Sequence, residues 1–240
     1  MTRYAFGDTD LARERLGLVA ETFREPTARL LADVPPGVRR YVLDLGCGPG
    51  YTTALLLDAF GPGYVTGIDS SSAMLAEARM RVPAAFFVVA DVTAPLKLPA
   101  HVVFSRMLLG HLPEPERALG RWANAVLPGG ALVCEEPVRY RSTRKVFERY
   151  EATVTEVVAA QGATLWAGPA LDSDPPRCHR AIDRIAEHAV AAGRAAAMFW
   201  RNATTWRGAP DLIAELQDLE RANPDETVVW EIRQTCWIKR

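Results

Sequence analysis

The stretch YVLDLGCGPGYTT, which runs from Tyr41 to Thr53, decides the fold of this 240-residue chain. A short apolar run, YVLDL, precedes three glycines that alternate with other residues, and the run YTTALLLDAF follows them. The first run has the composition of a β-strand that is buried on both faces, and the second has that of an α-helix. A strand, a glycine-rich turn and a helix in this order place a ligand at the carboxyl end of a parallel sheet. We therefore expect this loop to bind a small molecule against its backbone.

The spacing of the three glycines (46, 48 and 50) narrows the kinds of nucleotide that the loop can bind. A Walker A loop ends in Gly-Lys-Ser/Thr, which this loop lacks, and a dinucleotide fingerprint needs a glycine where the chain has Tyr51. Asp69 ends the next predicted strand, about 20 residues further on, where a carboxylate can accept hydrogen bonds from ribose hydroxyls. The pattern therefore favours a nucleoside without phosphates.

The alternation of strands and helices continues through the first part of the chain. Strands are predicted at 41–45, 64–69, 84–91, 100–106 and 131–136, and helices at 51–60, 71–81 and 113–126. This alternation predicts a parallel sheet with right-handed crossovers and helices on both faces. Farther on, we predict helices at 141–161 and 210–223, a sixth strand at 183–190 and a last strand at 226–240. The alanine-rich stretch 180–202 fits a helix and a strand about equally well.

The overall composition excludes several classes of function. The chain is 49% hydrophobic and 24% charged, and its 28 basic and 29 acidic residues leave a net charge of -1, so no basic field attracts nucleic acid. The four scattered cysteines and four histidines show no metal-ligand spacing, and we predict no metal. The first residues lack a signal-peptide core and no apolar run reaches membrane-spanning length, so we expect a cytoplasmic protein without a membrane partner.

Four motifs of the chain resemble those of a known family. VLDLGCGPGYTT, GIDSSSAMLAEAR, VVADVTAPL and LPGGALV are similar, in order and spacing, to the motifs of class I S-adenosylmethionine-dependent methyltransferases, above all the small-molecule branch of the ubiquinone and menaquinone enzymes. The resemblance implies an α/β fold: a Rossmann-like, mostly parallel seven-stranded sheet flanked by helices, with an antiparallel last strand and a helical lid. It further implies a single domain composed of an N-terminal helical cap (1–35), a cofactor-binding half (36–137), a variable lid and acceptor region (138–225) and a final strand (226–240).

The resemblance also implies S-adenosyl-L-methionine as the cofactor and assigns residues to it. Its methionine part and ribose would contact residues of the first two strands and the glycine loop: Asp44, Gly46, Gly48 and Asp69. Its adenine would be flanked, or met at its edge, by Ser70, Met74, Asp91 and the backbone of Val92. The loop around Ser105 and Arg106 would face the sulfonium and the acceptor.

Methyl transfer from a sulfonium is an in-line displacement on an activated carbon, so positioning alone can supply about 7–11 kcal/mol of the barrier. His111 follows the fourth strand and is a candidate base, although an orienting or helix-capping role is the commoner one for such a histidine. Glu135 and Glu136 end the fifth strand; because side chains alternate along a strand, at most one faces the cleft, and Glu135 is our candidate. The remaining candidate acceptor-binding residues are aromatic, with core packing as the alternative: Tyr4, Trp166 and Trp200, together with Phe6, Phe199 and Trp206.

These observations predict a metal-independent S-adenosylmethionine-dependent methyltransferase that acts on a small-molecule acceptor as a monomer or homodimer. The segment after the fourth strand, SRMLLGHL, lacks the Asp/Asn-Pro-Pro-aromatic turn and the Pro-Cys motif of nucleic-acid methylation. Two alternatives stay open: a non-catalytic S-adenosylmethionine-binding interaction protein, and a nicotinamide-dependent oxidoreductase, which Tyr51 disfavours. The acceptor itself is not determined, because specificity depends on the less informative region after residue 137.

Overall fold

The computed structural model describes residues 9–37, 40–61, 64–204 and 210–240. Its strands are β1 (Tyr41–Leu45), β2 (Tyr64–Asp69), β3 (Phe86–Val89), β4 (Ala100–Arg106), β5 (Val126–Arg141), β6 (Cys178–Ala191) and β7 (Thr227–Lys239). Its α-helices are α1 (Asp10–Thr22), α2 (Arg24–Asp33), α3 (Tyr51–Phe60), α4 (Ser72–Arg81), α5 (Pro115–Ala125), α6 (Lys145–Ala159), α7 (Ala192–Ala203) and α8 (Pro210–Ala222). None of the helices in these ranges is long and apolar enough to cross a membrane.

The seven strands form one sheet in the order β3-β2-β1-β4-β5-β7-β6. Strands β1 to β5 pair in parallel, and β7 runs antiparallel between β5 and β6. This confirms the expected mostly parallel sheet with an antiparallel last strand. Because β1 pairs with both β2 and β4, the carboxyl ends of these three strands meet at one edge of the sheet.

Alternation along β1 builds a core on each face of the sheet. Val42 packs with Leu31 and Leu56, whose helices α2 and α3 cover one face. Leu43 packs with Trp122 of α5 on the other face. A third apolar cluster joins α6, α7 and α8 to the ends of β5, β6 and β7. The parallel strands therefore end at an edge that has a packed apolar core on both faces of the sheet behind it.

Several elements differ in length from the sequence-based prediction, and strand pairing explains the differences. β5 was expected at 131–136 but continues to Arg141, because its pairing with β7 extends to the residue pair Arg141 and Val229. Helix α6 therefore begins at Lys145 and not at 141. β3 is shorter than 84–91 because it is an edge strand, paired with β2 alone. The ambiguous alanine-rich stretch contains both elements, with β6 passing directly into α7 at Ala192.

Candidate active site

A cavity of about 770 Å³ lies at the carboxyl edge of the parallel strands. Residues at or just after the carboxyl ends of β1 to β4 line it, together with residues of β5, β7, α1, α6 and α7. Its volume falls in the range of small-molecule sites. The cavity can therefore receive one ligand on the glycine loop and a second one beneath the helices.

The glycine loop presents bare backbone to this cavity. Gly48 has a left-handed φ of 51°, and a Cβ atom built on it would meet nothing within 4 Å. Gly46, with φ 64°, is different, because its Cβ would lie 2.8 Å from Cδ1 of Leu108. Both glycines line the cavity, but a Cβ at position 46 would collide with Leu108, whereas the space above Gly48 is available to a ligand.

Asp69 holds this loop in place from the end of β2. Its Oδ2 accepts a hydrogen bond from the backbone N–H of Gly48 at 2.9 Å, and its Oδ1 accepts one from that of Ser71 at 2.9 Å. Ser71 in turn caps α4 by accepting a bond from Met74 N. Because an ionised carboxylate offers about four lone-pair positions, Asp69 can still accept bonds from a ligand's hydroxyls.

Ser70, Met74, Asp91 and Val92 line the same cavity as Asp69. The Oδ1 of Asp91 accepts bonds from the hydroxyl and the backbone N–H of Thr93, which lower the pKa of Asp91 below its ordinary value. Their assignment to the adenine and the ribose stays a prediction.

Asp44 and Ser105 lie outside the cavity lining, which corrects the expectation that they face the ligand. Asp44 is 1% exposed and accepts hydrogen bonds from the hydroxyls of Thr52 and Thr53, at 2.7 and 2.6 Å, in the first turn of α3. Burial raises the pKa of Asp44 to about 6, although both hydroxyls oppose this shift. Asp44 therefore joins the end of β1 to the first turn of α3 and so positions the glycine loop between them. Ser105 is wholly buried within β4.

One of the two adjacent glutamates faces the cavity, as alternation requires, but it is Glu136 and not Glu135. The Oε1 atom of Glu136 accepts bonds from the backbone N–H groups of Leu108 and Leu109, each at 2.8 Å. Burial raises the pKa of Glu136 to about 8. Glu136 thus fixes the turn after β4 that carries His111.

Glu135 points into the protein, where it joins the N-terminal helices to the sheet. Its two oxygens bond with the Thr27 hydroxyl at 2.8 Å and with Nε2 of Gln234 at 2.7 Å. Arg106 lines the cavity and donates to the same Thr27 hydroxyl at 3.1 Å. Burial lowers the pKa of Arg106 below its ordinary value, and the charges of Glu135 and Asp44 partly oppose this shift. The Arg106 charge is therefore compensated in part from within the protein.

His111 ends a short 3-10 turn and lines the cavity. Burial, and to a smaller extent the positive charge of Arg15, lower the pKa of His111 to about 4. The imidazole is therefore neutral near pH 7. Arg15, which is 7% exposed, lines the cavity from α1.

The aromatic candidates divide between the cavity and other places. Trp166 and Phe199 line the cavity. Trp200 does not, because its Nε1 donates to Oε2 of Glu220 on α8, away from the cavity; this corrects its assignment to the acceptor. Tyr4, Phe6 and Trp206 fall outside the described residues, so the predictions for them stay open.

Four lining residues that the sequence analysis did not name come from distant parts of the chain: Arg15, Tyr140, Tyr150 and Trp230. Tyr140 and Trp230 meet because β5 and β7 pair, and helices α1 and α6 bring the other two over the sheet edge. No local motif marks such residues. Among the described residues, no cluster of three or more His, Cys, Asp or Glu side chains could hold a metal ion.

Comparison with known proteins identifies the family. The family model described as "Methyltransferase domain" matches residues 42–130. Trans-aconitate 2-methyltransferase of Methylobacterium radiotolerans is 34% identical over 194 residues, which are 76% of this chain and 74% of that relative. The chain spans about half the length of other curated trans-aconitate 2-methyltransferases that it matches.

Solved structures show the same fold at low sequence identity. The geranyl diphosphate C-methyltransferase of Streptomyces coelicolor, solved with S-adenosyl-L-homocysteine, Mg²⁺ and geranyl diphosphate, is 13% identical; the match has a TM-score of 0.55 and covers 99% of this chain and 88% of that one. The cyclase SpnF is 17% identical with a TM-score of 0.50, over 88% of this chain and 80% of that one. These two likenesses concern the fold alone.

The family match covers the region that carries the glycine loop, Asp69 and Asp91, and the Methylobacterium relative extends the similarity over most of both chains. The relatives carry the name of trans-aconitate enzymes and not of quinone enzymes, but the expected family is confirmed. This chain belongs to the class I S-adenosylmethionine-dependent methyltransferases.

Proposed function

We propose that this protein transfers a methyl group from S-adenosylmethionine to a small-molecule acceptor and catalyses the reaction mainly by positioning. One observation carries the proposal: the glycine loop and the aromatic residues beneath the helices line a single cavity. Two ligands bound in that cavity would lie side by side. Such an arrangement converts a reaction between two molecules into one within a single complex.

The described residues fit the cofactor that the family uses. The open space above Gly48 accommodates a ligand against the loop backbone, and Asp69 offers carboxylate oxygens to a ribose. Met74 and Val92, both buried and in the lining, offer apolar surface to an adenine. When bound, S-adenosylmethionine supplies an electrophilic methyl carbon on a sulfonium.

The state of His111 supports positioning over strong base catalysis. General bases work best when their pKa lies near the operating pH. The pKa of His111 is about 4, and each unit between this pKa and that of the acceptor costs about 1.4 kcal/mol in proton transfer. His111 therefore acts in our proposal as a neutral group that orients the acceptor, on a turn held by Glu136.

The alternative functions make different predictions. The likeness to the cyclase SpnF shows that this fold also occurs in an enzyme named for a different reaction, so the fold alone does not establish methyl transfer. In a nicotinamide enzyme, the side chain of Tyr51 would have to move out of the position at which the dinucleotide fingerprint has a glycine beneath the pyrophosphate. Its ring instead packs under Arg81, whose guanidinium carbon lies 4.0 Å from the ring centre. The name of the relatives makes trans-aconitate the first acceptor to test.

A matched pair of glycine variants tests the proposal by calorimetry. Gly48→Leu and Gly129→Leu both place a side chain on a left-handed backbone, and in both positions the new Cβ would have no atom within 4 Å. Of these two glycines, only Gly48 lines the cavity. The strain is about 1–2 kcal/mol for each. We expect the wild type and Gly129→Leu to bind S-adenosylhomocysteine and not NADH, and Gly48→Leu to lose this binding.

Turnover separates an enzyme from a binder. The wild-type protein is incubated with S-adenosylmethionine and trial acceptors, trans-aconitate first, and formation of S-adenosylhomocysteine is measured. Product formation that depends on an acceptor supports the proposal. Binding of NADH alone, or equal S-adenosylhomocysteine affinity in both glycine variants, would contradict it.

A further inference from the structure

Arg106 ends β4 and lines the cavity with a guanidinium group that the protein uses only in part. The residue is half-buried. Its Nη1 donates to the Thr27 hydroxyl at 3.1 Å, and the guanidinium makes no other hydrogen bond to the described residues. Because a guanidinium carries several N–H donors and no acceptor, most of the donors of Arg106 are available to a ligand.

The available donors lie on one edge of the planar group. Among the described residues, neither Nε nor Nη2 of Arg106 has a hydrogen-bond partner, and neither atom is fully enclosed by protein. No carboxylate oxygen of these residues lies within 4.0 Å of the guanidinium. Glu135 reaches Arg106 only through the Thr27 hydroxyl, which lies 2.8 Å from its Oε1. The edge formed by Nε and Nη2 can therefore donate two parallel hydrogen bonds to one carboxylate.

The sign of the lining charges changes along the edge of the sheet. Asp91 follows β3 and Asp69 ends β2, so these two carboxylates lie on one side of β1 and its glycine loop. Arg106 lies on the other side of β1, and a second cation, Arg15, lines the same cavity from α1. Glu136 of β5 is mainly protonated near pH 7, because burial raises its pKa to about 8. The β4 side of the cavity therefore favours an anionic group.

The position of Arg106 in the chain assigns this anionic group to the acceptor. In the proposed function, the bare backbone at Gly48 receives the cofactor and His111 orients the acceptor. Arg106 comes directly before the turn that carries His111, and Met107 and Leu108 between them also line the cavity. A carboxylate held by Arg106 would thus belong to the molecule next to His111.

We propose that Arg106 binds a carboxylate of the acceptor through Nε and Nη2, so that the acceptors of this protein are organic acids. This inference rests on the proposed function. It adds to that function a substrate class and the residue that recognises it. The acid in the name of the Methylobacterium relative falls within this class.

The test compares acids with their uncharged methyl esters on protein saturated with S-adenosylhomocysteine. The probes are trans-aconitate and cinnamate, with trimethyl trans-aconitate and methyl cinnamate as the esters. We expect calorimetry to show that the wild type binds at least one acid about tenfold or more tightly than its ester, since hydrogen bonds to a charged group are lost in the ester. This comparison needs no variant, so it stands whether or not a substitution disturbs folding.

Arg106→Met removes the guanidinium and retains much of the length of the side chain. It should weaken the acid roughly 10- to 100-fold and leave the ester unchanged. Arg106→Lys keeps the charge but not the planar group, so its affinity for the acid should lie between those of the wild type and Arg106→Met. Arg117→Met, on the exposed surface of α5 and outside the lining, is the matched control and should bind as the wild type does.

A second pair of ligands separates the acceptor from the cofactor as the source of the carboxylate. Methylthioadenosine shares the nucleoside of S-adenosylhomocysteine but lacks its amino acid part. Arg106→Met should bind both with wild-type affinity, which also shows that the variant is folded. Weaker binding of S-adenosylhomocysteine alone would place the cofactor's own carboxylate on Arg106 and overturn the inference.

The remaining outcomes distinguish the inference from the proposed function. The inference fails if neither acid binds the wild type more tightly than its ester, or if Arg106→Met binds the acid as the wild type does. Both results leave the proposed function standing. Absence of S-adenosylhomocysteine binding in the wild type refutes the proposed function itself.

Discussion

Replacing Glu136 by glutamine should change how the stability of the protein depends on pH. Glu136 is 1% exposed, and burial raises the pKa of its carboxyl from 4.5 to about 8. Between these two values the folded protein keeps a proton that the unfolded chain has lost. The free energy of unfolding of the wild type therefore falls as pH rises through this window.

The magnitude follows from the size of the shift. A difference of about 3.5 pKa units, at 1.36 kcal/mol per unit, corresponds to about 5 kcal/mol between pH 4.5 and pH 8. Glutamine retains the oxygen that accepts from Leu108 and Leu109 but does not titrate. Asp44 titrates in both proteins, so its effect cancels in the comparison.

Urea denaturation of both proteins at several pH values from 4.5 to 8.5 measures the effect. The wild type should lose stability relative to Glu136→Gln as pH rises, by up to about 5 kcal/mol. Glu148→Gln makes the same chemical change at an exposed site of α6 and should follow the wild type. Parallel pH profiles for the wild type and Glu136→Gln would refute the buried, proton-binding state of Glu136.

Three further predictions concern the residues around the glycine loop and the turn after β4. Asp44→Asn should remove a second pH dependence, in which stability falls by about 3 kcal/mol between pH 4 and pH 6 because burial raises this pKa from 3.8 to about 6. Urea denaturation of the wild type and the variant at pH 4 and pH 7 checks it. Asp69→Asn should weaken S-adenosylhomocysteine binding roughly 10- to 100-fold in calorimetry, with an unchanged circular dichroism spectrum, because hydrogen bonds to a charged carboxylate are lost; equal affinity would remove Asp69 from the site. His111→Gln should lower kcat less than about tenfold and leave the rate profile between pH 6 and 8 unchanged, since the imidazole is already neutral there. A loss of about 100-fold or more with intact cofactor affinity would instead make His111 the base.

The strand, loop and helix around Gly48 could be predicted because each is a local pattern. The apolar residues of YVLDL favour a strand, and the glycines after it favour a tight turn, so each pattern can be recognised within a few residues. Asp69 follows about 20 residues further along the chain. The structure places Gly48 and Asp69 at the cavity and joins them by a hydrogen bond. Family motifs were recognisable for the same reason.

The face on which a polar strand residue points was less predictable. Alternation allowed at most one of Glu135 and Glu136 to face the cavity but could not choose between them, because both are acidic, and the choice of Glu135 was wrong. The choice depends on the register of β5 against β4 and β7, which includes a shift between Pro137 and Arg139. The direction of the Asp44 side chain could not be predicted either, because its hydrogen-bond partners Thr52 and Thr53 lie on the other side of the glycine loop.

The sequence by itself determined the sheet, the glycine loop and the acidic residue that follows it, because short-range periodicity and backbone sterics act between neighbours. The acceptor side was decided only by the tertiary structure. Trp230 meets Tyr140 because β7 enters the sheet antiparallel beside β5, and Arg15 reaches the cavity because α1 packs over the sheet edge. These contacts join residues far apart in the chain, and their energies come from burial and pairing that no local pattern contains.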